Sequence, residues 1–124
     1  MKTVDALIIA KSDYEKISIL TSMAKRELAD LLEEELARAS VVEDDQVPPD
    51  VVSMNSTVSF EDIETGKTTV ITLVYPPDAN IEANKISILT PVGSALIGLR
   101  VGQTIQWPFP NGKVKTLKVV EVKT

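Results

Sequence analysis

The chain has 124 residues, 44% hydrophobic and 25% charged, enough to bury a substantial core and unlike the composition of a disordered segment. With no cysteine and no histidine it excludes disulfides, thiolate metal sites, cysteine nucleophiles, histidine-based triads, metalloprotease signatures and most metal hydrolases, and no metal and no cofactor are expected. The net charge of −5 is uneven: residues 1–50 carry 6 basic against 12 acidic side chains and residues 51–124 carry 7 against 6, which leaves no basic stripe for phosphates and argues against direct high-affinity nucleic-acid binding. No segment approaches membrane-spanning length, and a soluble, cytoplasmic chain is expected.

Residues 4–10 read as a short extended entry segment. Ser12 and Glu15, three apart, fit a capping box with Ser12 as N-cap, so a helix is expected to start there. Tyr14, Ile17, Leu20 and Met23 give it a narrow apolar stripe. Leu28, Leu31, Leu32, Leu36 and Ala39 recur at helical spacing through the acidic segment that follows. One bent helix or two would satisfy this pattern; two are favoured because Thr21 and Ser22 are weak helix formers that can start a new cap. Glu33, Glu34 and Glu35 fan around the circumference with Arg38 four beyond Glu34, the pattern of a solvated face. Residues 43–49 are acidic and end in Pro48 and Pro49, where neither helix nor central strand continues.

Beyond this linker the period shifts toward two. Residues 57–63 alternate through Val58 and Phe60, and Thr65 with Gly66 turns the chain into residues 68–75. There Val70 and Val74 on one face, with Ile71, Leu73 and Tyr75 on the other, predict a strand packed on both sides. Residues 85–89 give a further short strand. Thr90 suits an N-cap, Pro91 the first helical position and Gly98 the C′ position, with Leu99 and Val101 packing back under a short helix. Gly102 turns the chain into a strand over residues 104–107 that alternates through Ile105 and Trp107. Phe109-Pro110-Asn111-Gly112 is a hairpin signal returning the chain over residues 114–122. In that last strand the apolar phase slips from Leu117 and Val119 to Val120 and Val122, which predicts a bulge. The expected class is α+β: residues 1–42 an N-terminal helical unit, 43–50 a linker, and 51–124 an antiparallel sheet with one short helix.

Three separated motifs carry a family resemblance: Asp50-Val-Val-Ser-Met-Asn-Ser56, Thr72-Leu-Val-Tyr-Pro76 and Thr90-Pro-Val-Gly-Ser-Ala-Leu-Ile-Gly-Leu-Arg-Val-Gly102. Together they resemble the regulator of nucleoside diphosphate kinase family, within the Gre transcription-factor superfamily. The resemblance implies an FKBP-like C-terminal domain after a short antiparallel helical hairpin, a coiled coil. It also implies a regulator without enzyme activity that docks on the rim of the RNA polymerase secondary channel. The Ser-Pro pair with which Gre relatives contact that rim falls on Thr90 and Pro91, and Leu89 stands where some relatives carry an acid. Transcript cleavage in Gre factors needs an acidic coiled-coil tip that helps hold magnesium. Here the tip falls on Ser22, Met23, Lys25 and Arg26, which bring two cations and no acid. Helices of about ten and fifteen residues, at 1.5 Å per residue, reach roughly 15 to 25 Å, far shorter than a Gre finger.

Two rival readings belong to other classes. The FKBP-like resemblance suggests a prolyl isomerase or peptide-binding module, but Phe60, Tyr75, Trp107 and Phe109 are also the natural core of the sheet, and capping alone explains Thr90 and Pro91. The family name suggests direct regulation of nucleoside diphosphate kinase, for which these residues show no contact surface.

Overall fold

The computed structural model describes residues 7–108 and 112–123. Residues 4–6 of the expected entry segment and Phe109, Pro110 and Asn111 of the expected hairpin lie outside the described residues. In chain order the elements are β1 (Leu7–Ala10), α1 (Lys11–Thr21), α2 (Arg26–Arg38), β2 (Ala39–Val42), β3 (Thr57–Asp62), β4 (Thr68–Val74), β5 (Lys85–Ser87), α3 (Pro91–Leu96), β6 (Thr104–Pro108) and β7 (Val114–Lys123). Five strands form one sheet in the order β5-β4-β3-β7-β6, and β1 pairs with β2 in a second sheet.

The front of the chain departs from expectation in three ways. Ser12 is not an N-cap: α1 starts at Lys11 with no side-chain cap of its own, and the Ser12 N–H donates to Asp44 Oδ1 at 3.0 Å, so the linker supplies the cap. Ala39 is not helical, because the chain leaves α2 there and lays β2 alongside β1 in parallel, Leu7 opposite Ala39 and Ile9 opposite Val41. Glu35 is not solvated: it is buried on the face that also carries Leu32 and Leu36, and Arg38 pairs with it at 3.6 Å rather than with Glu34. The two-helix reading holds, since residues 22–25 separate α1 from α2. Glu27 in the first turn of α2 and Arg38 in its last turn both suit the helix dipole.

In the back half β3 and β4 pair antiparallel where alternation placed them. The predicted bulge is present: Ser59 faces Glu121 but Phe60 faces Val119, so Val120 is the extra residue, 45% exposed beside a buried Val119. The sheet is not wholly antiparallel. β5 runs parallel to β4, because two 3-10 turns and Asn84 in the left-handed region carry the chain round to re-enter in the same direction. β4 is flanked on both edges, yet only its Ile71, Leu73 and Val74 side chains are buried; Val70 lies on the outer face at 49% exposure. Leu99 packs inward as expected, whereas Val101 is exposed.

One continuous apolar cluster joins both halves. Leu7, Ile9, Ile17, Leu32 and Leu36 belong to the same core as Phe60, Leu73, Leu96, Ile105 and Trp107. Burying a side chain such as Leu32 or Leu36 contributes about 1.5–3 kcal/mol. The join is close at Gly98, where the Ile8 N–H donates to the Gly98 carbonyl at 3.2 Å and a Cβ would stand 3.0 Å from Leu7 Cβ.

Candidate docking site

Residues 89–91 form a short edge between β5 and α3. The Thr90 hydroxyl accepts the Gly93 N–H at 3.0 Å and donates to the Ser87 carbonyl at 2.8 Å, so the expected N-cap is present and its donor is used internally. Ser94 Oγ donates to the Thr90 and Pro91 carbonyls, and the Leu89 N–H donates to Ser87 Oγ. The backbone of the edge is therefore tied down at each residue. Leu89, Thr90, Pro91 and Val92 remain half-buried while residues 93–99 are buried. What faces outward at Leu89, Pro91 and Val92 is apolar and without charge, a surface suited to shape-matched contact rather than ion pairing.

The second predicted group lies between the helices. Thr21 turns inward, its hydroxyl donating to the Ser18 carbonyl, and the Met23 N–H donates to the Leu20 carbonyl to close α1. Ser22, Met23, Lys25 and Arg26 are all exposed, Met23 by 73%, with Ile19 exposed by 69% one turn before it. Two cations beside two apolar side chains form this surface, and the nearest acid in α2 is Glu27. At 11 and 13 residues the helices extend about 16 and 20 Å.

Sequence reasoning missed a third group, at the base of α1. Asp13 accepts the Tyr75 hydroxyl on Oδ1 at 3.0 Å and the Met54 N–H on Oδ2 at 3.3 Å. One turn along, Lys16 Nζ stands 5.4 Å from the centre of the Tyr75 ring. Tyr75 is therefore not a plain core aromatic. Burial and then the Asp13 charge push its hydroxyl pKa well above the usual tyrosine value. The Ser12 hydroxyl and N–H hold the Asp44 carboxyl below the usual carboxylate range. An open cleft of about 380 Å³ lies here, lined by Ser12, Asp13, Asp44, Pro48, Pro49 and Ser53. The Ile88 N–H donates to the Val74 carbonyl, so the edge at residues 89–91 begins beside the strand end that carries Tyr75. No spacing rule could have announced this group, since its partners come from three distant parts of the chain.

Over residues 47–124 the chain matches the family model described as transcription elongation factor GreA/GreB, C-terminal. The chain belongs to the GreA/GreB family. Along 120 residues it is 41% identical to the regulator of nucleoside diphosphate kinase of Escherichia coli K12, covering 94% of this chain and 88% of that protein. It is also 33% identical over 92 residues to the transcription elongation factor GreA of Syntrophomonas wolfei, covering 74% of this chain and 57% of GreA. A solved GreA/GreB transcription elongation factor from Nitrosomonas europaea matches this GreA/GreB-family chain with a TM-score of 0.77 at 45% identity, over 96% of this chain and 98% of that one. GreA factor homolog 1 of Thermus thermophilus, 23% identical with a TM-score of 0.51 over 96% of this chain and 99% of its own, shares the fold. The resemblance carried by the three motifs is borne out. Among the described residues no helix is long and apolar enough to cross a membrane.

Proposed function

We propose that this chain is a non-enzymatic transcription regulator that binds RNA polymerase near the secondary channel and competes there with Gre factors without cleaving the transcript. Residues 51–124 act as an FKBP-like dock whose contact edge is Leu89, Thr90 and Pro91. Residues 1–42, joined through the linker at 43–50, act as a shortened antiparallel coiled coil whose tip is Ser22, Met23, Lys25 and Arg26. Such a protein works in the cytoplasm, and it reaches nucleic acid only through the polymerase.

The observation that carries this reading is the contrast between the two ends. The edge at residues 89–91 has a capped, proline-led geometry that suits a docking element, while the tip offers Lys25 and Arg26 where magnesium chemistry needs carboxylates. A tip of that sign repels a divalent cation, which supports the absence of cleavage in a docked complex. Pull-down with core polymerase and displacement by a Gre factor test the proposal; absence of binding at micromolar protein defeats it.

A second reading is direct regulation of nucleoside diphosphate kinase, favoured by the 41% identity to a protein of that name. Titrating purified kinase with this chain separates direct modulation from a transcriptional route. The isomerase alternative finds little support, because Phe60 and Trp107 are buried in the core and Tyr75 is engaged with Asp13.

A further inference from the structure

We propose that Asp13 is a positioning residue, a clamp at the base of α1 that sets the angle of the helical tip relative to the docking edge. This inference rests on the polymerase-binding reading for its purpose, though not for its geometry. Among the described residues, the directional polar anchors of α1 on the rest of the chain lie in its first two turns. The Ser12 N–H bonds Asp44, the Asp13 carboxylate bonds both Met54 and Tyr75, and Lys16 sits over the Tyr75 ring. Beyond them Ile17 and Leu20 hold the helix by apolar contact, and Ile19 and Met23 are open to solvent. Apolar burial is non-directional, so it resists lifting of the helix more than sliding or tilting. Two bonds to one carboxylate, from separate backbone segments, remove that freedom.

The lever is long enough to matter. From Asp13 to Thr21 the helix runs about 12 Å at 1.5 Å per residue, so a tilt of about 10° at the base carries its end roughly 2 Å. Tyr75 directly follows Val74, whose carbonyl accepts the N–H of Ile88, the residue just before the edge. The clamp therefore ties the tip and the edge to a common strand end, and two-point contact with one partner requires a fixed spacing between them. If loss of the clamp leaves about one molecule in five at the competent angle, apparent affinity falls about fivefold.

The absence of native cysteine makes the distance directly measurable on the full chain. Spin labels at Met23→Cys and Lys67→Cys, both exposed positions, report the tip-to-sheet distance by pulsed electron resonance, with unlabelled protein used for polymerase affinity. The unsubstituted clamp gives one narrow distribution. Asp13→Ala broadens it or shifts it by about 2 Å, the displacement of a 10° tilt. Tyr75→Phe moves it the same way by less, keeping the ring beneath Lys16, and it decides the matter alone if Asp13→Ala does not fold. Trp107 emission stays native in both, which separates lost positioning from general destabilisation. Distributions unchanged in both variants overturn the proposal, and so does a moved distribution with unchanged polymerase affinity. Failure of the unsubstituted chain to bind polymerase defeats the docking function, while the label distances still judge the clamp.

Discussion

Substituting Gly98 by alanine tests the seam between the two halves of the core. Gly98 has φ +82°, and an added Cβ would stand 3.0 Å from Leu7 Cβ and 3.4 Å from Ile9 Cγ1. A left-handed conformation costs an L-residue about 1–2 kcal/mol. Crowding a packed core adds about 1–3 kcal/mol, so Gly98→Ala is expected to cost about 2–5 kcal/mol in all. Gly102 is the internal control, because it has φ +92° with open space around its missing Cβ, and Gly102→Ala is expected to cost about 1–2 kcal/mol from the backbone alone. Urea unfolding followed by the emission of the single, buried Trp107 reads both variants. With a urea slope of about 1.5 kcal/mol/M, Gly98→Ala lowers the midpoint by about 1–3 M and Gly102→Ala by about 1 M. Equal losses at the two glycines would refute the claim that β1 is seated against Gly98 as part of one core.

Thr90→Ala removes the cap of α3 and is expected to cost about 1 kcal/mol, a fall of about 3–5 °C in melting temperature, while Thr90→Ser retains it; equal melting of all three proteins contradicts the capping geometry. The raised Tyr75 pKa makes a prediction with a definite sign. An unfolded tyrosine ionises near its ordinary value of 10.0 while the folded one resists, so stability from this hydroxyl is complete below 10.0 and falls as pH rises above it toward the folded value. Unfolding midpoints measured across that alkaline range should fall more steeply for the parent chain than for Tyr75→Phe, and parallel curves contradict the burial of the hydroxyl against Asp13.

Much of the sheet was legible because its signals are local. The alternation through Val58 and Phe60, the Thr90 cap with Pro91 and Gly98, and the slip of phase at Val120 each sit within a few neighbouring residues and survive folding unchanged. Errors gathered where distant segments meet. Asp44 displaces Ser12 as the cap of α1 only because the linker returns to that helix end, which no spacing in residues 12–15 encodes. Ala39 continued the leucine stripe by helical count, yet pairing with Leu7 draws it into β2. Glu35 follows two exposed glutamates in sequence, but the face of α2 that buries Leu32 and Leu36 passes through it. Val70 is apolar and faces solvent because the sheet has its core on one side at that position. The candidate edge was readable in Thr90 and Pro91, whereas the clamp of Asp13 on Tyr75 and Met54 exists only in three dimensions.

The proposed function requires that this protein occupy the site of a Gre factor without performing its chemistry. One competition measurement addresses this directly: core RNA polymerase held in a stalled elongation complex, a labelled Gre factor, and increasing amounts of this chain with magnesium present. A docked, cleavage-deficient protein displaces the Gre factor at micromolar or lower concentration with the transcript remaining at full length. Failure to displace the Gre factor, or a transcript shortened by this chain alone, contradicts the proposed function.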